Sequence, residues 1–143
     1  MTGKMRILLV EDSEMDAEII INMLRSKNPK AFDIKTVSNL TEALKSCEKD
    51  VFDCIILDLN LPESKGVRTL ELLYKEVKGT PVIALADSAD RIIGFSVKKE
   101  EIQDYLIKDQ LSRDKLLEAV LVGGIKGKNM EELRKILVKK GLR

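Results

Sequence analysis

At 143 residues the chain suits a single domain with room for one further element. Apolar residues make up 44% and aromatic residues 3%, so a core must be aliphatic, and the composition is not that of a disordered chain. Charged residues make up 34% with a net charge of +1, a balance that argues against general nucleic-acid binding, while the absence of histidine excludes Ser-His-Asp and Cys-His hydrolases, His-ligated zinc and a phosphohistidine carrier.

The N-terminal MTGKMRILLVED has no apolar stretch long enough for a signal peptide. No run approaches transmembrane length, so a soluble, cytoplasmic protein with no membrane partner is expected. Met5–Val10 is the first predicted strand, and Ser13 is placed to cap the helix that follows. In that helix Ala17, Ile20, Ile21 and Leu24 share one face. A weaker strand is predicted over Phe32–Val37. Asn39, with Glu42 three residues on, has the pattern of a capping box before Leu40, Ala43, Leu44 and Cys47. Phe52–Leu57 is the third strand, and Ser64 is read as the cap before the stripe Val67, Leu70, Leu73, Tyr74, Val77. Pro81–Ala86 is the fourth strand. The segment 90–100, DRIIGFSVKKE, makes a poor helix because of Gly94 and its β-branched and aromatic residues. Tyr105–Ile107, with Ile102 just before, is the fifth strand. Ser112 then precedes a last core helix carrying Leu116, Leu117, Val120 and Leu121.

The strands at 5–10, 52–57 and 81–86 are nearly continuous apolar runs, as expected of strands covered on both faces. Five strands alternating with five helices predict an α/β fold: a doubly wound, five-stranded parallel sheet, flavodoxin-like. The domain is expected to close at 122. Residues 123–143 then form a glycine-containing linker and an amphipathic helix at about 130–140. That tail holds seven basic residues against Glu131 and Glu132. It reads first as a solvated helix face, and it suits a contact with a partner protein, its own domain, a second copy in a homodimer or, last in order, nucleic acid. Cys47 and Cys54 fit no metal spacing and read as core residues of a reducing compartment.

Four charged groups stand where three apolar runs stop or have just stopped: Glu11 and Asp12 after ILLV, Asp58 after FDCIIL, and Lys108 after DYLI. Each alone is weak; an acidic pair opening a helix is often only a favourable charge near the helix dipole. In a parallel sheet these strand ends share one edge, and three carboxylates with one ammonium suit Mg²⁺-assisted phosphoryl chemistry.

The segments ILLVEDSEMDAEII, IILDLNLPESKGV, TPVIALAD and IQDYLIKDQLSRDKLLEAV resemble the receiver domain of two-component response regulators over residues 5–122. DLNLPESKG, with Gly66 eight residues after Asp58, and QDYLIKD carry the resemblance most specifically. It implies a phosphorelay role in which Asp58 is the phosphoacceptor, receiving the group from a sensor histidine kinase. Glu11, Asp12, Asp58 and the backbone carbonyl of Asn60 would hold Mg²⁺, and Lys108 would pair with the phosphoryl group. The output would be binding to a downstream protein. The chain would not be an enzyme in the ordinary sense, although it would catalyse its own phosphorylation and dephosphorylation.

The sequence departs from the family at the end of the fourth strand. Ala86 stands where a Thr or Ser hydroxyl is usual, followed by Asp87, an extra negative charge. Ser88 is a candidate replacement hydroxyl, and Tyr105 occupies the position of the family's switching aromatic residue. Asp109 stands where Pro or Gly is usual.

The alternative reading is a pseudo-receiver, a protein-interaction module independent of phosphorylation. A phosphatase of the haloacid-dehalogenase type is disfavoured, because its D-x-D nucleophile follows the first strand and Asp58-Leu59-Asn60 follows the third. No GxxxxGK[ST] or GxGxxG supports nucleotide binding.

Overall fold

A computed structural model describes residues 4–61, 64–65, 67–77, 79–87 and 104–124. Five parallel strands form one sheet: β1 (Met5–Val10), β2 (Phe32–Val37), β3 (Cys54–Asp58), β6 (Val82–Ala86) and β7 (Asp104–Ile107). Their order is β2-β1-β3-β6-β7. Between β3 and β6 lie a two-stranded antiparallel hairpin, β4 (Asn60–Leu61) and β5 (Ser64–Lys65), and helix α3 (Val67–Glu76). The other described helices are α1 (Glu14–Arg25), α2 (Leu40–Lys49) and α4 (Arg113–Gly124). The predicted α/β architecture is therefore present, with the helix expected at 90–100 and the tail at 125–143 outside the described residues.

Successive residues of a strand point to opposite faces, so each continuous apolar run feeds two cores. Ile7, Leu9, Cys54, Ile56, Ile83 and Leu85 pack beneath Ala17, Ile20 and Leu24 of α1 and Leu116, Leu117 and Val120 of α4. Leu8, Val10, Ile55, Leu57, Val82, Ala84 and Ala86 pack against Leu40, Ala43, Leu73 and Val77 on the other side. Burying a Leu or Ile side chain contributes roughly 1.5–3 kcal/mol, so these layers supply the main driving force. Cys54 lies in the first layer, where burial pushes its thiol far up and leaves it an inert core group.

Three predicted caps form. Ser13 Oγ accepts from the Asp16 N–H at 3.2 Å, Asn39 Oδ1 from Glu42 at 2.8 Å, and Ser112 Oγ from Lys115 at 3.2 Å. The return bond of the second cap reaches one residue further back than in a capping box: Glu42 Oε1 accepts from Ser38, at 3.3 Å. Ser64 is not a cap. It belongs to β5, and α3 opens only at Val67. A two-residue hairpin has no periodicity to betray it. The third strand is shifted relative to the prediction, running Cys54–Asp58, so Asp58 is its last residue rather than the one beyond it.

At the far end, α4 runs through Gly123 and Gly124, two residues past the predicted close of the domain. Glycine costs a helix about 1 kcal/mol relative to alanine, and the burial of Val120 and Leu121 just before outweighs it. Among the described residues the only positive φ is that of Gly79, +93°, where the chain reverses between α3 and β6. There is no cis peptide among them, the Lys108–Asp109 bond included. No helix of the described residues is long and apolar enough to cross a membrane.

Candidate functional site

The register of the sheet brings the charged groups to one edge. Val10 pairs with Leu57, Asp58 with Leu85, and Ala86 with Ile107. The ladder continues one step beyond the strands: the Glu11 N–H donates to Val37 O at 3.0 Å and the Leu59 N–H to Leu85 O at 2.9 Å. Glu11 and Asp58 are thereby held rigidly at the strand ends, both 2% exposed. Asp12, the next residue, is exposed.

One ligand atom from each of Glu11, Asp12 and Asp58 lies within 4.8 Å of the others. Asp58 Oδ1 accepts the Asn60 N–H at 3.0 Å, and Glu11 Oε2 accepts the Ser13 N–H at 3.3 Å. Lys108, in a 3₁₀ turn directly after β7, reaches across this edge. Its Nζ donates to Glu11 Oε2 at 3.5 Å, Asp16 Oδ2 at 3.2 Å and Asp58 Oδ2 at 3.3 Å. Glu11 Oε1 is also 3.2 Å from Nζ, but outside hydrogen-bonding geometry, leaving a buried carboxylate oxygen with no donor.

Asp16 is the member that sequence reasoning missed. An acid in the first turn of a helix is common for dipole reasons, so nothing in the pattern separates it from Glu14. The Asn60 side chain is a second omission: its Nδ2 donates to Asp87 Oδ2 at 3.3 Å, tying the end of β3 to the end of β6. Asp87 is thus engaged rather than loose beside the crevice. Ala86 is buried and offers only a methyl, on the α2–α3 side of the sheet. Tyr105, opposite Ala84 in register, is 45% exposed. Ser88 lies outside the described residues.

The electrostatics follow from crowding. Burial, reinforced by the adjacent Asp58, pushes the Glu11 carboxyl up to about 8, with Lys108 opposing. Burial alone would lower the Lys108 ammonium; Asp58 and Glu11 outweigh it and hold Lys108 above its ordinary value. Between the ordinary carboxyl value of 4.5 and about 8, the folded protein keeps a proton that the unfolded chain has released. Stability therefore falls as pH rises through that window. In chelator, thermal melts are expected to lose on the order of 2 kcal/mol between pH 5 and pH 8.5. Lys108 adds nothing there, being charged in both states. A flat profile would mean that Glu11 is ionised throughout.

The site residues fit a hard divalent cation. The donors are carboxylate oxygens, Glu11 Oε1 lacks a hydrogen-bond donor, and burial together with the neighbouring Asp58 raises Glu11. Comparison with known proteins gives the family. The family model described as "Response regulator receiver domain" matches residues 7–121. The chain belongs to this family. Among curated relatives, the cell cycle transcriptional regulator CtrA of Caulobacter vibrioides is 34% identical over 104 residues, covering 73% of this chain and 44% of that protein. The chain thus spans under half the length of such relatives. Among solved structures, the receiver domain of a Luxo repressor protein from Vibrio parahaemolyticus is 27% identical with a TM-score of 0.74, covering 92% of this chain and 98% of that one. The receiver domain of a sensor histidine kinase from Pseudomonas aeruginosa is 26% identical with a TM-score of 0.68, covering 85% and 98%, and is described with magnesium coordinated in its active-site cleft. This receiver domain is accordingly a signalling module of the two-component type.

Proposed function

We propose that this receiver acts in the cytoplasm, accepting a phosphoryl group on Asp58 from the phosphohistidine of a sensor histidine kinase, and that the modified domain signals by binding a downstream protein. The observation that carries the reading is the state of Asp58. Its carboxylate is buried at the sheet edge, fixed through Oδ1 by the Asn60 N–H, and faced through Oδ2 by Lys108. In the transfer, an Asp58 oxygen forms a bond to phosphorus as the phosphorus–nitrogen bond to the donor imidazole breaks. The imidazole leaves with the electron pair and takes its proton from water. Such transfer needs mainly alignment and charge neutralisation. Asn60 supplies alignment, and Lys108 supplies positive charge for the arriving phosphoryl oxygens.

Glu11, Asp12 and Asp58, with the backbone carbonyl of Asn60, would hold Mg²⁺, as the magnesium-bearing Pseudomonas receiver suggests. When bound, the ion would neutralise the clustered carboxylates and the transferring oxygens. The test is incubation with acetyl phosphate and Mg²⁺ followed by mass spectrometry. A phosphoryl adduct on the peptide containing Asp58 is expected, and its absence under all Mg²⁺ concentrations would end this reading. Self-catalysed loss of that adduct, abolished by chelator, is the expected companion result.

Ala86 sets the strength of the output. A hydrogen bond to a charged group is worth about 1.5–3 kcal/mol. Driving a two-state equilibrium from 1:99 to 99:1 takes about 5.5 kcal/mol. Without a hydroxyl at 86, a quarter to a half of that drive is missing. Ala86→Ser is expected to enlarge the phosphorylation-dependent burial of Tyr105, read by tyrosine NMR or fluorescence, by roughly threefold or more in population. An equal response in both proteins would show that the position carries no coupling.

The same methyl, with Asp87 occupied by Asn60, favours the second reading, a pseudo-receiver that binds partners without phosphate. Mg²⁺ titration separates the two: the first reading requires saturable binding lost in Asp12→Asn, the second does not.

A further inference from the structure

Among the described residues, four of the carboxylates at this edge of the sheet divide into two overlapping sets. Glu11, Asp12 and Asp58 form the cation cluster. Glu11, Asp16 and Asp58 receive the three hydrogen bonds of Lys108, matching the three donors of an ammonium. Among the described residues, Asp16 alone belongs to the lysine's set without belonging to the cation's. It also comes from a different element. Glu11 and Asp58 stand at strand ends, whereas Asp16 sits in the first turn of α1, fixed by the bond from its own N–H to Ser13 Oγ at 3.2 Å.

We propose that Asp16 is a positioning residue for phosphoryl transfer, tethering Lys108 Nζ beside Asp58 while the other two carboxylates are engaged by cation and phosphoryl group. The proposal rests on the reading of Asp58 given above. Once Glu11 and Asp58 have their charge neutralised, their hold on Lys108 weakens. A lysine has four rotatable bonds and would then sample other positions. Asp16, outside the cation cluster, keeps its charge and its 3.2 Å contact. The ammonium stays within reach of the phosphoryl oxygens, and the ordering of Lys108 is done before the reaction rather than during it.

The role acts through Lys108, so a double-mutant cycle tests it. The four proteins are the unsubstituted chain, Asp16→Asn, Lys108→Ala and the double variant. Each is phosphorylated by acetyl phosphate at saturating Mg²⁺, and the rate of Asp58 adduct formation is followed. Asp16→Asn is nearly isosteric and leaves the backbone bond to Ser13 in place. It is expected to slow the reaction about fivefold to tenfold with Mg²⁺ affinity within twofold of the original. In the Lys108→Ala background the same substitution is expected to change the rate by less than about twofold. Asp16→Glu is expected to recover at least half the lost rate. An unchanged or faster rate in Asp16→Asn overturns the proposal, as does equal slowing in both lysine backgrounds, which would mark a structural effect of α1. If the unsubstituted chain forms no adduct, the assignment of Asp58 falls and this proposal falls with it. An adduct on Asp58 without the cycle's non-additivity removes the proposal alone.

Discussion

Asp58→Asn is expected to eliminate the phosphoryl adduct completely while making the metal-free protein more stable. The two effects share one cause. Asp58 supplies the nucleophilic oxygen, and an amide has none to offer. The same carboxylate is buried beside Glu11, and the pair's repulsion is part of what raises the Glu11 carboxyl to about 8. Asn at 58 keeps the size of the side chain, keeps an oxygen for the Asn60 N–H, and removes one buried negative charge. Lys108 retains Glu11 and Asp16 as partners. A gain of about 1 kcal/mol in chelator is expected. Mg²⁺ should reverse the order, because the unsubstituted protein gains more from the ion than the variant does. Thermal melts with and without Mg²⁺ measure both. A variant less stable in both conditions would mean that Asp58 serves structure through Lys108 more than it burdens Glu11.

Lys108→Met is expected to be the most damaging single change at the site. Methionine has a similar length and can occupy the same space, so the loss is chiefly electrostatic. Glu11 and Asp58 would remain buried with no cation, and removing one partner of a buried ion pair costs about 3 kcal/mol or more. The cost depends on pH in a defined direction. Below about pH 6 Glu11 holds its proton and the loss should shrink; above about pH 8 Glu11 is charged and the loss should be largest. Mg²⁺ should recover much of the stability, because a divalent ion replaces the missing charge. It should not restore transfer, since the phosphoryl oxygens would lack their ammonium. A variant whose stability loss is the same at pH 5.5 and pH 8.5 would contradict this electrostatic account.

The fold was legible wherever burial dominates. Continuous runs such as ILLV and CIIL, short and bounded by turn and charged residues, read as strands covered on both sides, and they are β1 and β3. The strand ends were legible for the same reason: topology alone sends Glu11, Asp58 and Lys108 to one edge. What escaped was short or shared. The hairpin of Asn60–Leu61 and Ser64–Lys65 is too brief for a period, so Ser64 reads as a cap when it is a strand residue. The extension of α4 through two glycines depends on tertiary packing that local propensity does not contain. Asp16 looks like any first-turn acid until Lys108 arrives from 92 residues away. The bond between Asn60 and Asp87 joins positions 27 residues apart, and neither carries a mark of the other. Sequence spacing reports on a residue's own element; it is silent about which element will be laid beside it.

Lys108 and Glu11 are separated by 97 residues and meet only through the sheet. A ribosome builds the acidic half of this edge first, and the balancing cation emerges last. The ends of β1 and β3 are therefore not neutralised within the sheet until β7 is in place beside β6. Among the described residues, charge balance at this edge is thus a property of the assembled sheet and not of any one strand with its helix.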